Sequence, residues 1–189
     1  MARDKSPEGK PALERRVIFE KSKDIKILLL DVDGVLTDGT LLYSSTGEES
    51  KSFHTQDGFG LRLIQEAGIE VGLITARNSE VVARRSRELK MRYVHQGATN
   101  KLQAFQEIIK ESGYLPFEIG YMGDDWLDLV LLSRVGLAFA PANAVKAVKE
   151  AAHYVTAQSG GQGAVREVCD LLLEGKGLLT TLLQKYTNK

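Results

Sequence analysis

The chain has 189 residues, and its 25 Lys and Arg residues balance its 25 Asp and Glu residues. This length suits one domain with a sizeable core, and the balanced charge gives no indication of a nucleic-acid partner or an anionic membrane. The single cysteine excludes an internal disulfide and is typical of the reducing cytoplasm, which we expect as the location. No run approaches the roughly 20 apolar residues of a membrane span.

The predicted elements begin with a strand over residues 26–30, whose apolar run ends at Asp31. Two short strands at 40–43 and 51–53 predict a β-hairpin over residues 40–53. Helices are then predicted at residues 59–67, 79–89, 101–112, 125–133, 144–152 and 164–173. Strands are predicted between them at residues 69–74, 93–94, 119–122, 137–140 and 154–155.

This alternation predicts an α/β fold, a doubly wound, Rossmann-like three-layer sandwich with a parallel sheet. The hairpin is a small flap, and no large cap domain is predicted. We expect one domain over residues 23–175, with a disordered N-terminal tail over residues 1–22 and a C-terminal tail over residues 176–189. The polar N-terminus has no apolar segment of the kind that a secretory signal needs.

Polar side chains follow four of the predicted strands. They are Asp31 and Asp33, then Thr75, then Lys101 at a helix start, and then Asp124, Asp125 and Asp128. Taken singly, each has an ordinary structural explanation as a turn, a helix cap or a solvated side chain. Because the carboxyl ends of parallel strands meet at one edge of a sheet, we expect them to converge. Acids, a hydroxyl and a lysine together suit phosphoryl transfer with Mg²⁺, which prefers hard oxygen ligands.

These residues resemble the four motifs of the haloacid dehalogenase superfamily of phosphatases. The first motif, D-x-D-G-[VT]-L-[TV], matches residues 31–37, and the second, a Ser or Thr at a strand end, matches Thr75. The third, a lysine, matches Lys101, and the fourth, G-D-D-x-x-D, matches residues 123–128. All four occur in order, and the resemblance covers about residues 25 to 173.

Residues 31–39, 57–60 and 160–167 further resemble the family of 3-deoxy-D-manno-octulosonate 8-phosphate (KDO 8-phosphate) phosphatases. That resemblance implies a capless homotetramer assembled through the hairpin and a role in lipopolysaccharide synthesis in Gram-negative bacteria. It implies a small sugar-acid phosphate as the partner, and neither nucleic acid nor a membrane. Two departures, the stretch His54-Thr55-Gln56 and Ala76 in place of a more usual glycine, leave the sugar open.

The resemblance also implies site residues. The implied catalytic residues are Asp31, Asp33, Thr75 and Lys101, the substrate-binding residues are Thr75, Ala76, Arg77 and Lys101, and the Mg²⁺ ligands are Asp31, Asp33 and Asp124. Asp31 would be the nucleophile and form an aspartyl-phosphate. Asp33 would be the general acid and then the general base, and we expect it to be protonated at the start because carboxylates crowd there. Asp33 would bind the metal through its backbone carbonyl.

The remaining polar residues have subsidiary expected roles. Asp125 and Asp128 would act on the metal through water or through its ligands. Arg77 is either a ligand for a sugar-acid carboxylate, which a guanidinium binds bidentately, or a surface residue at a helix start.

Three other functions are compatible with parts of this pattern. A phosphatase for a nonulosonate 9-phosphate would share the motifs and differ in the pocket. A catalytically idle domain used for oligomerisation would be expected to lack one of the motif acids, which are all present here. A phosphomutase would use the same nucleophile but would need a cap.

Overall fold

The computed structural model describes residues 12–188 of the chain. The strands are β1 (Ile27–Leu30), β2 (Leu42–Tyr43), β3 (Glu49–Ser50), β4 (Glu70–Ile74), β5 (Tyr93–His95), β6 (Ile119–Met122), β7 (Leu137–Ala140) and β8 (Tyr154–Val155). The main sheet has six parallel strands in the order β5-β4-β1-β6-β7-β8, and a separate antiparallel pair, β2-β3, forms the hairpin. The helices are α1 (Ala12–Ser22), α2 (Thr55–Glu66), α3 (Glu80–Glu88), α4 (Lys101–Ser112), α5 (Leu129–Leu132), α6 (Lys146–Ala151), α7 (Ala164–Gly175) and α8 (Leu179–Thr187).

Helices cover both faces of the sheet, so each central strand is buried on two sides. Side chains alternate along β1, with Leu28 and Leu30 in a core shared with α1, α2, α3 and α7. Ile27 and Leu29 point into the opposite core, shared with α4, α5 and α6. The predicted three-layer α/β fold is therefore confirmed. Within the described residues, no helix combines the length and apolar character that crossing a membrane requires.

The structure has helices in both segments that the sequence predicts as tails. In α1, Ile18 is buried and Ser22 packs on Gly175, where a Cβ would lie only 2.6 Å from the Cβ of Ser22. In α8, Tyr186 makes an edge-on ring contact with Phe59 at 5.4 Å between centroids. Residues 12–22 and 179–187 thus form helices that pack on the domain, in segments that the sequence analysis expects to be tails. The expectation for residues 1–11 lies outside the described residues.

The hairpin lies within residues 40–53 as predicted, but its second strand is Glu49–Ser50 rather than residues 51–53. A tight turn causes the shift, because the Ser44 N–H donates to the Glu48 carbonyl and Gly47 adopts a φ of 83°. Between β1 and α2 the chain forms only this hairpin and loops.

Helix α2 starts at Thr55, four residues before its predicted start. Its first turns contain Gly58 and Gly60, which in the sequence favour a loop. In the structure both glycines lie where α2 closely approaches another helix. A Cβ at Gly60 would lie 2.9 Å from the Arg166 side chain on α7, and one at Gly58 would lie 2.3 Å from the Arg85 side chain on α3. Here tertiary packing outweighs helix propensity.

Candidate active site

The four sequence motifs meet at one edge of the central sheet. Asp31 directly follows β1, which pairs with β4 on one side and β6 on the other. Thr75 follows β4, Lys101 opens α4 after β5, and Asp124 follows β6 by one residue. Parallel pairing brings these carboxyl ends side by side, so the convergence expected from the sequence is observed.

Lys101 is the cation at the centre of this edge. Its side chain is 3% exposed, and its ammonium lies 3.1 Å from Asp31 Oδ1 and 2.6 Å from Asp128 Oδ1. Burial alone would lower the pKa of Lys101, but the carboxylates of Asp31 and Asp128 outweigh it and the pKa is raised. Lys101 therefore stays charged and fixes Asp31 in position.

Asp128 is fully buried and serves as a hub of hydrogen bonds. Its Oδ1 accepts from Lys101 and, at 2.5 Å, from the hydroxyl of Tyr121 on β6. Its Oδ2 accepts the backbone N–H groups of Asp124 at 2.9 Å and Asp125 at 3.1 Å. Gly123 permits this approach, since a Cβ there would lie 2.3 Å from the Asp128 carboxyl carbon. With both oxygens engaged, Asp128 orients the site and has little capacity left to bind a ligand directly.

Three carboxylates cluster beside Lys101. Oxygens of Asp31, Asp124 and Asp128 lie within 4.8 Å of one another. Burial, followed by repulsion from Asp128, raises the pKa of Asp31 to about 6 against the opposing effect of Lys101. Burial and then repulsion from Asp31 and Asp128 raise the pKa of Asp124 to about 7. The site thus holds more negative charge than one ammonium can balance, which favours a bound cation.

The loop after Asp31 fits closely over this cluster. Gly34 has a φ of 88°, and a Cβ there would lie 2.0 Å from Asp124 Oδ2, so only glycine suits the position. The Asn143 side chain donates to the Gly34 carbonyl at 3.0 Å and accepts the Gly160 N–H at 2.7 Å. The glycine-rich segment over residues 159–163 therefore supports the loop that follows Asp31 in its own chain, a contact that the sequence does not reveal.

Asp33 is not part of the carboxylate cluster, and its carboxylate instead contacts two cations. One is the ammonium of Lys51, which follows β3, and the other is Arg77, whose Nε lies 3.6 Å from Asp33 Oδ2. The crowding of carboxylates that we expected around Asp33 is found around Asp31 and Asp124. Sequence reasoning missed Lys51 because nothing in the spacing shows that the hairpin folds back over the first motif.

The second motif lies in the bend between β4 and α3. The Thr75 hydroxyl is buried and accepts the Arg77 N–H at 3.4 Å, and Ala76 is half-buried between them. The Arg77 guanidinium donates to the Tyr43 hydroxyl at 2.6 Å and to Glu49 at 3.4 Å, both on the hairpin. Arg77 thus joins the hairpin to the sheet edge, and its side chain is still 41% exposed.

Comparison with known proteins agrees with this geometry. Residues 91–168 match the family model for haloacid dehalogenase-like hydrolases. The chain is 42% identical over 162 residues to the 3-deoxy-D-manno-octulosonate 8-phosphate phosphatase KdsC of Escherichia coli (strain K12), an alignment that covers 86% of each protein.

Solved structures agree as well. The Moraxella catarrhalis 3-deoxy-D-manno-octulosonate 8-phosphate phosphatase, in complex with magnesium, phosphate and KDO, superposes with a TM-score of 0.88 at 37% identity, over 89% of this chain and 97% of that one. The cobalt-bound Haemophilus influenzae deoxy-D-mannose-octulosonate 8-phosphate phosphatase superposes with a TM-score of 0.82 at 38% identity, over 84% and 93%. The chain therefore belongs to the 3-deoxy-D-manno-octulosonate 8-phosphate phosphatase family of the haloacid dehalogenase superfamily and is an enzyme, a phosphoric monoester hydrolase.

Proposed function

We propose that this phosphatase hydrolyses KDO 8-phosphate to KDO and phosphate through an aspartyl-phosphate on Asp31, with Mg²⁺ as cofactor. The observation that carries the proposal is the placement of Asp31, held 3.1 Å from the Lys101 ammonium in a cluster with Asp124 and Asp128. The substrate follows from relatives at 42% identity that are named for it. The proposed setting is lipopolysaccharide synthesis in the cytoplasm.

The residues fit a divalent cation. Three carboxylates against one ammonium leave an excess of two negative charges when all are ionised, which a divalent ion neutralises. Asp31 and Asp124 would supply carboxylate oxygens and Asp33 its backbone carbonyl, while Asp128 orients Asp124 through that residue's N–H. All of these are hard oxygen donors of the kind that Mg²⁺ prefers. When bound, Mg²⁺ would neutralise charge on the transferring phosphoryl group.

In the first half-reaction, an Asp31 oxygen attacks phosphorus and the bond from phosphorus to the sugar oxygen breaks. Lys101 and the Thr75 hydroxyl would bind phosphoryl oxygens, where a fixed ammonium and a fixed donor stabilise developing charge. Asp33, two residues after the nucleophile on the same loop, would protonate the leaving alkoxide.

In the second half-reaction, Asp33 would accept a proton from water as the water attacks the phosphorus of the aspartyl-phosphate. The products are inorganic phosphate and a free Asp31 carboxylate. Lys101 would keep Asp31 in place through both steps, since the hub at Asp128 holds its ammonium from the other side at 2.6 Å.

Substrate choice would depend on residues around the open side of the site. Arg77 is partly exposed, lies beside Asp33 and presents a guanidinium suited to the carboxylate of a sugar acid. The hairpin exposes Leu41 and Leu42, at 42% and 62%. An isolated two-stranded hairpin is marginal in water, so we propose that hairpins from several copies pair in a homotetramer and wall off neighbouring sites.

A comparison of substrates tests the proposal. The purified protein would be assayed for phosphate release from KDO 8-phosphate, a nonulosonate 9-phosphate and a simple alkyl phosphate, each with Mg²⁺ and with a chelator. We expect the highest kcat/KM for KDO 8-phosphate and loss of activity with the chelator. A preference for the 9-phosphate would overturn the substrate assignment, and full activity in chelator would overturn the metal assignment.

A further inference from the structure

We propose that Lys51, on the hairpin, is a positioning residue that holds the Asp33 carboxylate in place for proton transfer. The inference deepens the proposed function and rests on it, because it takes Asp33 as the general acid and base. It gives the hairpin a part in the chemistry of its own chain, separate from any part in assembly.

The burial of Lys51 is the first observation. Its side chain is 1% exposed, although it follows a two-residue strand on the outside of the molecule. A buried ammonium is costly unless carboxylates compensate it. Two do so here, since Lys51 pairs with Asp33 and, at 3.4 Å, with Glu49. The lysine therefore belongs to the interior of the site and is not a solvated hairpin charge.

The second observation is how few contacts orient Asp33. Among the residues that the structure describes, the one hydrogen bond that its side chain accepts comes from Lys51. The other cation, Arg77, lies 3.6 Å away and has hydrogen bonds of its own to Tyr43 and Glu49. Without Lys51, the Asp33 side chain would be free to turn between rotamers, and misplacement of a reacting group is expensive in rate.

The two cations beside Asp33 thus have different expected roles. Lys51 is buried and faces carboxylates of its own chain, whereas the Arg77 side chain is 41% exposed and can meet a ligand. Loss of Lys51 should therefore impair proton transfer, while loss of Arg77 should impair binding. A substrate whose leaving group needs no proton separates these two effects.

The experiment compares Lys51→Met, Lys51→Arg and Asp33→Asn on an alkyl phosphate and on p-nitrophenyl phosphate. The parameter kcat/KM covers the steps through phosphoryl transfer to Asp31, in which the leaving group departs. For Lys51→Met we expect a fall of about tenfold or more on the alkyl ester and within about threefold on the aryl ester. Lys51→Arg should recover most of the loss. Lys146→Met, at a lysine whose side chain is 90% exposed, is the control and should leave kcat/KM unchanged on both esters.

The outcomes separate this inference from the proposed function. Equal losses on the two esters for Lys51→Met, no loss at all, or a change confined to KM would overturn the role of Lys51. If Asp33→Asn lowers kcat/KM equally on the two esters, the proposed role of Asp33 as general acid is itself overturned. Thermal melts establish that each variant is folded, and Lys51→Gln, which is uncharged but polar, replaces Lys51→Met if the latter does not fold.

Discussion

The sheet edge and the hairpin are built in opposite ways. At the sheet edge, Lys101 and Asp128 are 3% and 0% exposed, and each makes at least two polar contacts within the chain. The hairpin has two strands of two residues each, and Leu42 on it is 62% exposed. Lys101 and Asp128 at the sheet edge thus have their polar partners within one chain. The hairpin, in contrast, leaves apolar surface without a cover in the part of the chain that the structure describes.

This difference suggests that the sheet edge and the hairpin have different functions. A preorganised arrangement of charges suits phosphoryl transfer, which depends mainly on positioning and electrostatic stabilisation. A marginal flap suits substrate selection, because its surroundings can include a second subunit. Polar contacts between the two regions include those of Lys51 and Arg77 with Asp33 and those of Arg77 with Tyr43 and Glu49. Substitutions in the sheet edge and in the hairpin should therefore have separable effects.

The largest effect is expected at Asp31, the proposed nucleophile. Asp31→Asn keeps the shape of the side chain and removes one of three crowded carboxylates, so the variant should fold normally while turnover is essentially lost. Phosphate release and thermal melting measure the two properties. Asp38→Asn is the matched control on the same loop, since its exposed side chain accepts the Thr40 N–H, which an amide can also accept. Retained turnover in Asp31→Asn, with host phosphatases excluded, would contradict the assignment.

The next effect is expected at Asp33. Asp33→Asn should lower kcat on KDO 8-phosphate by about 10²- to 10⁴-fold, the usual contribution of a general acid or base, with a smaller change in KM. Steady-state kinetics measure both parameters. A large rise in KM with unchanged kcat would show that Asp33 binds substrate and does not transfer protons.

Metal binding should be visible without any assay of activity. A ligand at a hundred times its Kd stabilises a protein by about 2.7 kcal/mol, which corresponds to a rise in Tm of about 5 to 10 °C for a chain of this size. Mg²⁺ should raise the Tm of the wild type in this way and should do so far less in Asp124→Asn. Asp38→Asn, at an exposed residue outside the carboxylate cluster, is the control and should keep the shift. Equal shifts in all three proteins would place the ion elsewhere.

A smaller effect is expected at Arg77. Arg77→Met should raise KM for KDO 8-phosphate by about tenfold or more, since hydrogen bonds between charged groups contribute about 1.5–3 kcal/mol. KM for an alkyl phosphate without a carboxylate should change much less. The control is Arg84→Met, at an arginine whose side chain is 79% exposed and paired along its helix with Glu88. Equal changes on both substrates would assign Arg77 to the fold or to the phosphate.

The smallest effect on rate is expected from the exposed face of the hairpin. The double variant Leu41→Ser and Leu42→Ser leaves Lys51 in place but removes the apolar surface, so light scattering should detect smaller particles. Activity should fall severalfold on KDO 8-phosphate and less on a small ester. Leu115→Ser with Phe117→Ser, at residues 55% and 54% exposed elsewhere, is the control. A native monomer at micromolar concentration would rule out assembly through the hairpin.

The sequence predicts the fold well where burial is periodic and poorly where it depends on distant contacts. Alternating apolar strands and amphipathic helices carry a local signal, and all six strands of the main sheet lie where it places them, within a few residues. Helix α1 has adjacent apolar residues and no clear period, and its stability comes from α7, with Ser22 against Gly175. The early start of α2 likewise depends on partners that no local pattern reveals.

The same limit applies to the site. The order of the motifs places Asp31, Thr75, Lys101 and Asp124 at adjoining strand ends, as the structure shows. Lys51 and Tyr121 were missed because their roles arise from long-range contacts. In the sequence, Tyr121 is one of several apolar residues of a buried strand. The role of its hydroxyl is apparent only from the hydrogen bond that it donates to Asp128.

The most direct test of the account is to trap the phosphoryl group on Asp31. In Asp33→Asn, an aryl phosphate needs little help to transfer its phosphoryl group, whereas hydrolysis of the aspartyl-phosphate lacks its base. Phosphorus-labelled p-nitrophenyl phosphate with Mg²⁺, quenched in acid, should leave close to one labelled phosphate per chain, on the peptide that contains Asp31. Steady release of p-nitrophenol with no phosphate bound to the protein, or label on another residue, would contradict the account.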